Sequence, residues 1–305
     1  MTTLAPPADS DLSAASDDAG QQHESPLRRS LRTLLRQPNA VVGLVLVVLL
    51  TVAGVFGPMM VQHDPRHQQI RHAFVRPGSP GHLLGTDHLG RDILSRTLHG
   101  ARISLAIGVF VSLLSAAIGV VLGGIAGYAL GWFDASLMRV VDLLLAFPRL
   151  ILAIAVLAVM DEPSLFLVFL VLSLTGWAGI ARLVRAQVLQ ARELEFVQAA
   201  MALGAGHARI LLVHILPHIA GVVIIWTTLS IPATIMAEAG LSFLGIGAEP
   251  ETPSWGIMIA EGYADLRTEW WVSFIPGVAL AFTVLGYNLL GDGLQDALNP
   301  RLRKR

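Results

Sequence analysis

Residues Ile103–Leu130 read ISLAIGVFVSLLSAAIGVVLGGIAGYAL, 28 consecutive residues without a charged side chain. A helix of that length rises about 42 Å, more than the roughly 30 Å of hydrocarbon in a bilayer. Working outward, five more apolar runs appear. They cover about 40–61, about 140–160 with an interruption at Pro148, a stretch after Asp161-Glu162-Pro163 that ends near Ile180, about 215–237, and about 271–290. The expectation is an all-α membrane protein with six transmembrane helices.

The composition agrees. The chain is 54% hydrophobic and 14% charged, against about 25% charge in a soluble domain. A net charge of -1 gives no footing for a nucleic-acid partner. The absence of cysteine excludes disulfides, thiolate metal sites and cysteine nucleophiles. Lys304 is the only lysine, and Arg305 follows it, so no Walker A lysine stands before Ser or Thr. Any ATP used must be hydrolysed by another chain. No H-E-x-x-H metalloprotease motif is present.

Residues 1–37 read as a mostly disordered tail, followed by a first transmembrane helix over 38–62 and a polar outer loop over 63–101. Five helices follow over 102–292, with a polar loop at 190–214, and a basic tail ends the chain at 293–305. Arg28, Arg29, Arg32 and Arg36 precede the first run, and basic residues favour the cytoplasmic side. Six crossings return the chain to the side it started from, so both termini are expected in the cytoplasm.

The membrane runs are poor in ionisable residues, which a proton- or sodium-coupled carrier would need near the midplane. The exception is the third run, with Asp142 and Arg149. Seven residues apart, they are expected on one helix face, about 10 Å apart along the axis. In the second run Gly108, Ser112, Ser115, Gly119, Gly123, Gly124 and Gly127 recur at spacings that let helix backbones approach closely. Six of the ten histidines, His63, His67, His72, His82, His88 and His99, fall in the first outer region. Their spacings form no compact ligand set of the zinc type, so they read as surface histidines. His214 and His218 read as packing residues at the membrane boundary.

The most informative polar stretch is Phe196–Pro217, FVQAAMALGAGHARILLVHILP. Good helix formers run from Gln198 to Leu203, and Gly204, before Ala205 and Gly206, permits the left-handed turn that stops a helix. A second helix is expected from about Ala208 into the fifth run. The picture is a short helix on the membrane face, able to dock on a cytoplasmic partner and pass on its movement.

These residues resemble the EAA loop of binding-protein-dependent ABC importers. Gln198-Ala199-Ala200 stand for the E-A-A, Leu203, Gly204 and Ala205 follow, and Ile215-Leu216-Pro217 close the pattern. Gln198 replaces the usual Glu, and His214 the first Ile. Three further blocks extend the likeness. Gly85-Thr86-Asp87-His88-Leu89-Gly90-Arg91-Asp92 is similar to the family's N-terminal signature. Glu238-Ala239-Gly240-Leu241-Ser242-Phe243-Leu244-Gly245, with Trp255, is similar to its outer loop before the last helix. Asn288-Leu289-Leu290-Gly291-Asp292-Gly293-Leu294 is similar to its C-terminal end. Over about 34–301 the chain resembles the C-type permease of the dipeptide, oligopeptide and nickel family.

The resemblance implies a type I ABC importer permease fold and a heterodimer with a sibling B-type permease. It also implies two partner ATPase domains that bind ATP and Mg, an extracytoplasmic substrate-binding protein, and membrane lipid around the bundle. It implies no catalytic residue, cofactor or metal in this chain. The implied cargo is a dipeptide or oligopeptide, with nickel, haem or another small solute as the alternatives within the same machinery.

Overall fold

The computed structural model describes residues 32, 34–160, 164–249 and 251–298. The tail with Arg28 and Arg29, the expected break at Asp161, Glu162 and Pro163, and the basic end from 299 onward lie outside the described residues.

The regular elements are helices. They are α1 (Pro38–Met60), α2 (Ile93–Ala129), α3 (Gly131–Ala146), α4 (Arg149–Leu157), α5 (Leu165–Arg192), α6 (Glu195–Ala202), α7 (His207–Phe243), α8 (Trp255–Tyr263) and α9 (Trp271–Leu298). Five of them, α1, α2, α5, α7 and α9, are long and apolar enough to cross a membrane, and α3 with α4 makes a sixth span if the bent pair is one.

The helices outrun the apolar runs that announce them. α2 begins at Ile93 rather than near Ile103, because its first three turns carry Arg96, His99 and Arg102. At 37 residues it is about 55 Å long, so a bilayer covers only part of it. α5 continues past Ile180 to Arg192, and α7 past Ala237 to Phe243. α7 also passes through a π-helical stretch, Ile210–Ile215, just before Pro217.

The third apolar run is not a straight helix. α3 and α4 meet at 88° around Phe147 and Pro148. Pro148 has no N–H to continue the helix and presses its predecessor toward extended backbone, and Phe147 sits at φ -100°, ψ 140°. Asp142 and Arg149 therefore do not share a face, which corrects the reading from their spacing. Asp142 pairs with Arg182 of α5 in an exposed ion pair. Arg149 donates to the Leu172 carbonyl at 3.0 Å.

Most of the small residues of α2 do what their spacing implies, Gly124 being the exception, with only ordinary side-chain contact at 3.9 Å. A methyl group on Gly119, Gly123 or Gly127 would run into the α5 backbone at Trp177, Ala181 and Arg185 respectively. Ser112 bonds Thr234 of α7 at 3.3 Å, and Ser115 donates to the Ser173 carbonyl at 3.1 Å. The two helices thus approach backbone to backbone, and α5 and α7 flank α2. α1 packs against α9 in the same way, with Gly43 against the backbone at Gly286 and Leu290. The opposite side of α1 is apolar and exposed, from Val45 to Phe56, as a lipid-facing surface requires.

With α3 and α4 taken as one crossing, connections 61–92 and 244–270 meet at one end of the bundle. The α5–α7 connection and the end of α2 meet at the other. Contacts support both groupings: Trp271 Nε1 donates to the Thr86 carbonyl at one end, and Tyr128 meets His207 at the other.

Candidate functional site

The α5–α7 connection folds as a helical hairpin. α6 is short, so its local propensity alone would not hold it. Val197 anchors it, fully buried among Val184, Val188, Ala191, Ile210 and Ile215 of the neighbouring helices. Burying one such side chain contributes about 1.5–3 kcal/mol. Gln198 Nε2 donates to the Arg192 carbonyl at 2.8 Å, satisfying one of the open acceptors at the end of α5.

α6 ends as the sequence predicts. Gly204 takes φ +82°. Its N–H donates to the Met201 carbonyl at 3.0 Å, and that of Ala205 to the Ala200 carbonyl at 3.1 Å. These paired bonds are the Schellman arrangement, which wants glycine at the left-handed position. Nothing lies within 4 Å of where a Gly204 Cβ would stand. The glycine is therefore required by the backbone turn and not by packing.

The outward side of the hairpin exposes large apolar side chains among polar ones. Leu203 is 88% exposed and Phe196 44%. Gln198 and Ala199 are exposed as well, and Ala200 is half-buried. On the return strand of the hairpin Ile215 is fully buried, Leu216 packs beside it, and Pro217 stands in the first turn of the regular part of α7. His218 packs against Phe196, ring centres 5.5 Å apart and tilted by 55°, so its expected packing role has a concrete partner in α6.

Three residues of this region escaped the sequence reading. The Tyr128 hydroxyl lies 2.9 Å from His207 Nδ1, linking the end of α2 to the start of α7. Arg192 donates to the Tyr128 carbonyl at 2.9 Å and lies over its ring. The hairpin is thus gripped at both ends by one turn of α2. No local motif could have found this, since the three positions are far apart in sequence.

At the opposite end, residues 61–92 form a compact cap. Gly85 and Gly90 have φ +81° and +73°. At both, a side chain would strike backbone, the Val75 carbonyl and the Gln69 carbonyl respectively. Thr86 Oγ1 accepts from the Val75 N–H at 2.8 Å. Asp87 is the hub. One of its oxygens accepts from the N–H groups of Leu89 and Arg91, each at 2.9 Å. The other takes Arg91 Nε at 2.7 Å and also Arg96. Glu261, from α8, closes the group, 2.9 Å from Arg91 and 2.6 Å from Arg96.

Burial opposes the charge on Asp87, but Arg96 and Arg91 outweigh it and hold its pKa below the usual carboxylate value. Asp92 caps α2, accepting the Ser95 N–H at 2.8 Å. The family-like block 85–92 is therefore a folding unit, whose spacing serves turns, a helix cap and buried ion pairs. Glu261 is the member that its sequence position, in no motif, could not reveal.

The block Glu238–Gly245 is not a loop, as expected, but the end of α7. Glu238 is fully buried and accepts from Ser242 at 2.8 Å and from Ser104 at 3.3 Å. Leu241 is also fully buried, while Phe243 and Leu244 face outward. Gly245, φ +77°, stops the helix with the same paired bonds as Gly204. A carboxylate on the bundle interior looked like loop polarity in the sequence because serines, not charges, satisfy it. Trp255 is fully buried and donates to the Thr97 carbonyl at 3.0 Å, tying α8 to α2.

The outer histidines are less scattered than their spacing implies. His63 and His67 share no helix, since 61–69 is irregular. Yet the cap brings His63 and His82 together with Asp92.

Comparisons with known proteins agree with this arrangement. The family described as "Binding-protein-dependent transport system inner membrane component" matches residues 119–304, and "N-terminal TM domain of oligopeptide transport permease C" matches 25–77. The chain is 41% identical over 274 residues to the dipeptide transport system permease protein of Bacillus subtilis (strain 168), covering 90% of this chain and 85% of that protein. It is 41% identical over 265 residues to the oligopeptide transport system permease protein of the same organism, covering 87% and 86%. It is 40% identical over 282 residues to a glutathione transport system permease protein of Escherichia coli O6:K15:H31 (strain 536 / UPEC), covering 92% and 93%. A multi-pass inner-membrane bundle with this cap, this hairpin and these relatives belongs to the C-type permease family of binding-protein-dependent ABC importers.

Proposed function

We propose that this chain and a sibling B-type permease together form a pathway that carries dipeptides or oligopeptides inward across the membrane. Two ATPase domains, which bind ATP and Mg, dock on the α6 hairpin from the cytoplasm. Both termini of the chain are cytoplasmic, and the 61–92 cap meets an extracytoplasmic substrate-binding protein. Closure of the ATPase pair moves α6, and the grip of Tyr128 and Arg192 passes that movement into α2, α5 and α7. The chain itself hydrolyses nothing.

The observation that carries this reading is the α6 hairpin. Its inner face is locked to the bundle by Val197, while Leu203 and Phe196 stand exposed beyond the last turn of α5. Exposed apolar side chains at a tip, Leu203 above all, are what a docking element needs. The peptide cargo rests on the relatives, whose names include dipeptide, oligopeptide, di/tripeptide and glutathione transport.

The test is a mild-detergent pull-down of the tagged chain from its native membranes, followed by mass spectrometry. Recovery of a second permease and a P-loop ATPase is the expected result. An intact, monodisperse chain recovered alone would count against the assembly. Uptake of labelled dipeptides, lost on deletion of the chain, tests the cargo separately.

A further inference from the structure

The cap gathers a second set of polar groups that the ion pairs of Asp87 do not use. His63 follows the end of α1, and its carbonyl accepts from Ser95 Oγ at 2.6 Å, which fixes it against the first turn of α2. His82 enters from a turn whose Gly81 has φ +85°. Asp92 uses one carboxylate oxygen as the α2 cap and turns the other to His82 Nδ1, 3.0 Å away. The His63 and His82 rings lie 5.0 Å apart, and the His72 ring 5.9 Å from that of His82. One ligand atom from each of His63, His82 and Asp92 lies within 4.8 Å of the other two.

We propose that His63, His82 and Asp92 form a binding site for a divalent transition cation of the zinc type. Two imidazoles and one carboxylate suit such an ion in charge and softness. Bonds of about 2 Å at tetrahedral angles separate two ligands by about 3.3 Å, and the His82–Asp92 pair already stands near that spacing. Only small rotations of the side chains would bring His63 to the same centre. His63 also lines a groove with Gln62, Asp64, Arg66, His99 and Arg102, which leaves the His63 side of the group open to solvent.

The ligand atoms of neighbouring Asp87, His88 and Glu261 also lie within 4.8 Å of one another, but the group is a poor rival. Arg91 and Arg96 already neutralise its carboxylates, and a cation there would face two guanidinium groups. The same two arginines are turned away from Asp92, whose side chain bonds only Ser95 and His82 among the described residues. A cation held by His63, His82 and Asp92 would join the end of α1, the cap and the start of α2, bracing the cap on the bundle.

The experiment is a titration of Zn2+ into the full-length chain in detergent, purified by a tag without histidine, against a chromophoric chelator. The expected result is saturable binding of one equivalent. His63→Ala and His82→Ala should each weaken it about tenfold or more, and His67→Ala should leave it unchanged. His63→Ala carries the test, because its ring makes no hydrogen bond among the described residues and its loss should not disturb the cap. No saturable binding, or binding unaltered in His63→Ala, would overturn the site. Equal weakening by His67→Ala would overturn it too, by placing the ion on the loop at large.

Discussion

Tyr128, in the last turn of α2, and His207, the first residue of α7, meet through the tyrosine hydroxyl and His207 Nδ1 at 2.9 Å. The contact closes the base of the α6 hairpin. If movement of α6 reaches the bundle through this base, removing the hydroxyl should loosen the coupling without unfolding the hairpin. The contact is exposed, so water replaces part of it and the loss is about 1 kcal/mol. Tyr128→Phe is expected to reduce ATP-driven uptake about two- to five-fold while the complex still assembles. Uptake at the wild-type rate would remove Tyr128 from the coupling route.

Gly204 gives a sharper test, because its constraint is purely conformational. Its φ of +82° strains any β-branched residue, yet open space surrounds its Cβ position. The left-handed region costs an ordinary L-residue roughly 1–2 kcal/mol, and asparagine less. Gly204→Val should lower uptake about tenfold, and Gly204→Asn should retain most of it. Equal loss in both variants would mean that the position is needed for contact and not for the turn.

At Gln198 the family pattern and the local geometry pull in opposite directions. The resemblance implies glutamate there, but the Gln198 amide donates to the Arg192 carbonyl, and a carboxylate cannot. The position is exposed, so the cost of Gln198→Glu should stay within about 1 kcal/mol. Pull-down of the variant is expected to recover the same partners in the same ratio. Failure to assemble would show that the surrounding interface depends on the amide.

The cap should respond to Asp87 far more strongly. Asp87→Asn would leave the nearly fully buried Arg96 facing only Glu261, and breaking a buried pair costs about 3–5 kcal/mol. Thermal unfolding in detergent should show a large loss of stability at neutral pH. The sign of the pH effect follows from the depressed pKa. The folded carboxylate stays charged below the ordinary value near 3.8, so its contribution is complete above that value. It is lost only as pH falls further. Between pH 8 and pH 5 the deficit of Asp87→Asn relative to wild type should therefore be constant. A deficit that shrinks over that range would contradict the ion-pair assignment.

Much of this was legible in sequence, and the failures share a cause. Hydropathy finds where a helix meets lipid, but not where it continues into protein. Arg96, His99 and Arg102 hid the first three turns of α2, and Glu238 made the end of α7 read as a loop. Two of these groups have partners distant in sequence, Glu261 for Arg96 and Ser104 for Glu238, beside the nearer ones at Asp87 and Ser242. The α3–α4 bend was signalled by Pro148, but its 88° angle was not, so Asp142 and Arg149 were placed on one face. Glycine was the more reliable guide, since the positive φ of Gly204 depends on neighbours within five residues. The Tyr128–Arg192–His207 contact and the grouping of His63 with His82 and Asp92 are products of tertiary structure, and no spacing rule encodes them.

The proposed engagement of the hairpin by the ATPase can be measured at a single atom. The chain contains no cysteine, so Leu203→Cys places one thiol of this chain at the exposed tip, ready for a short maleimide photo-crosslinker. Illumination of intact native membranes should yield an adduct between this chain and a P-loop ATPase. The same probe at Leu83, 67% exposed in the cap, should yield none. A fully labelled Leu203→Cys chain that assembles normally but crosslinks to no ATPase would contradict docking at the hairpin.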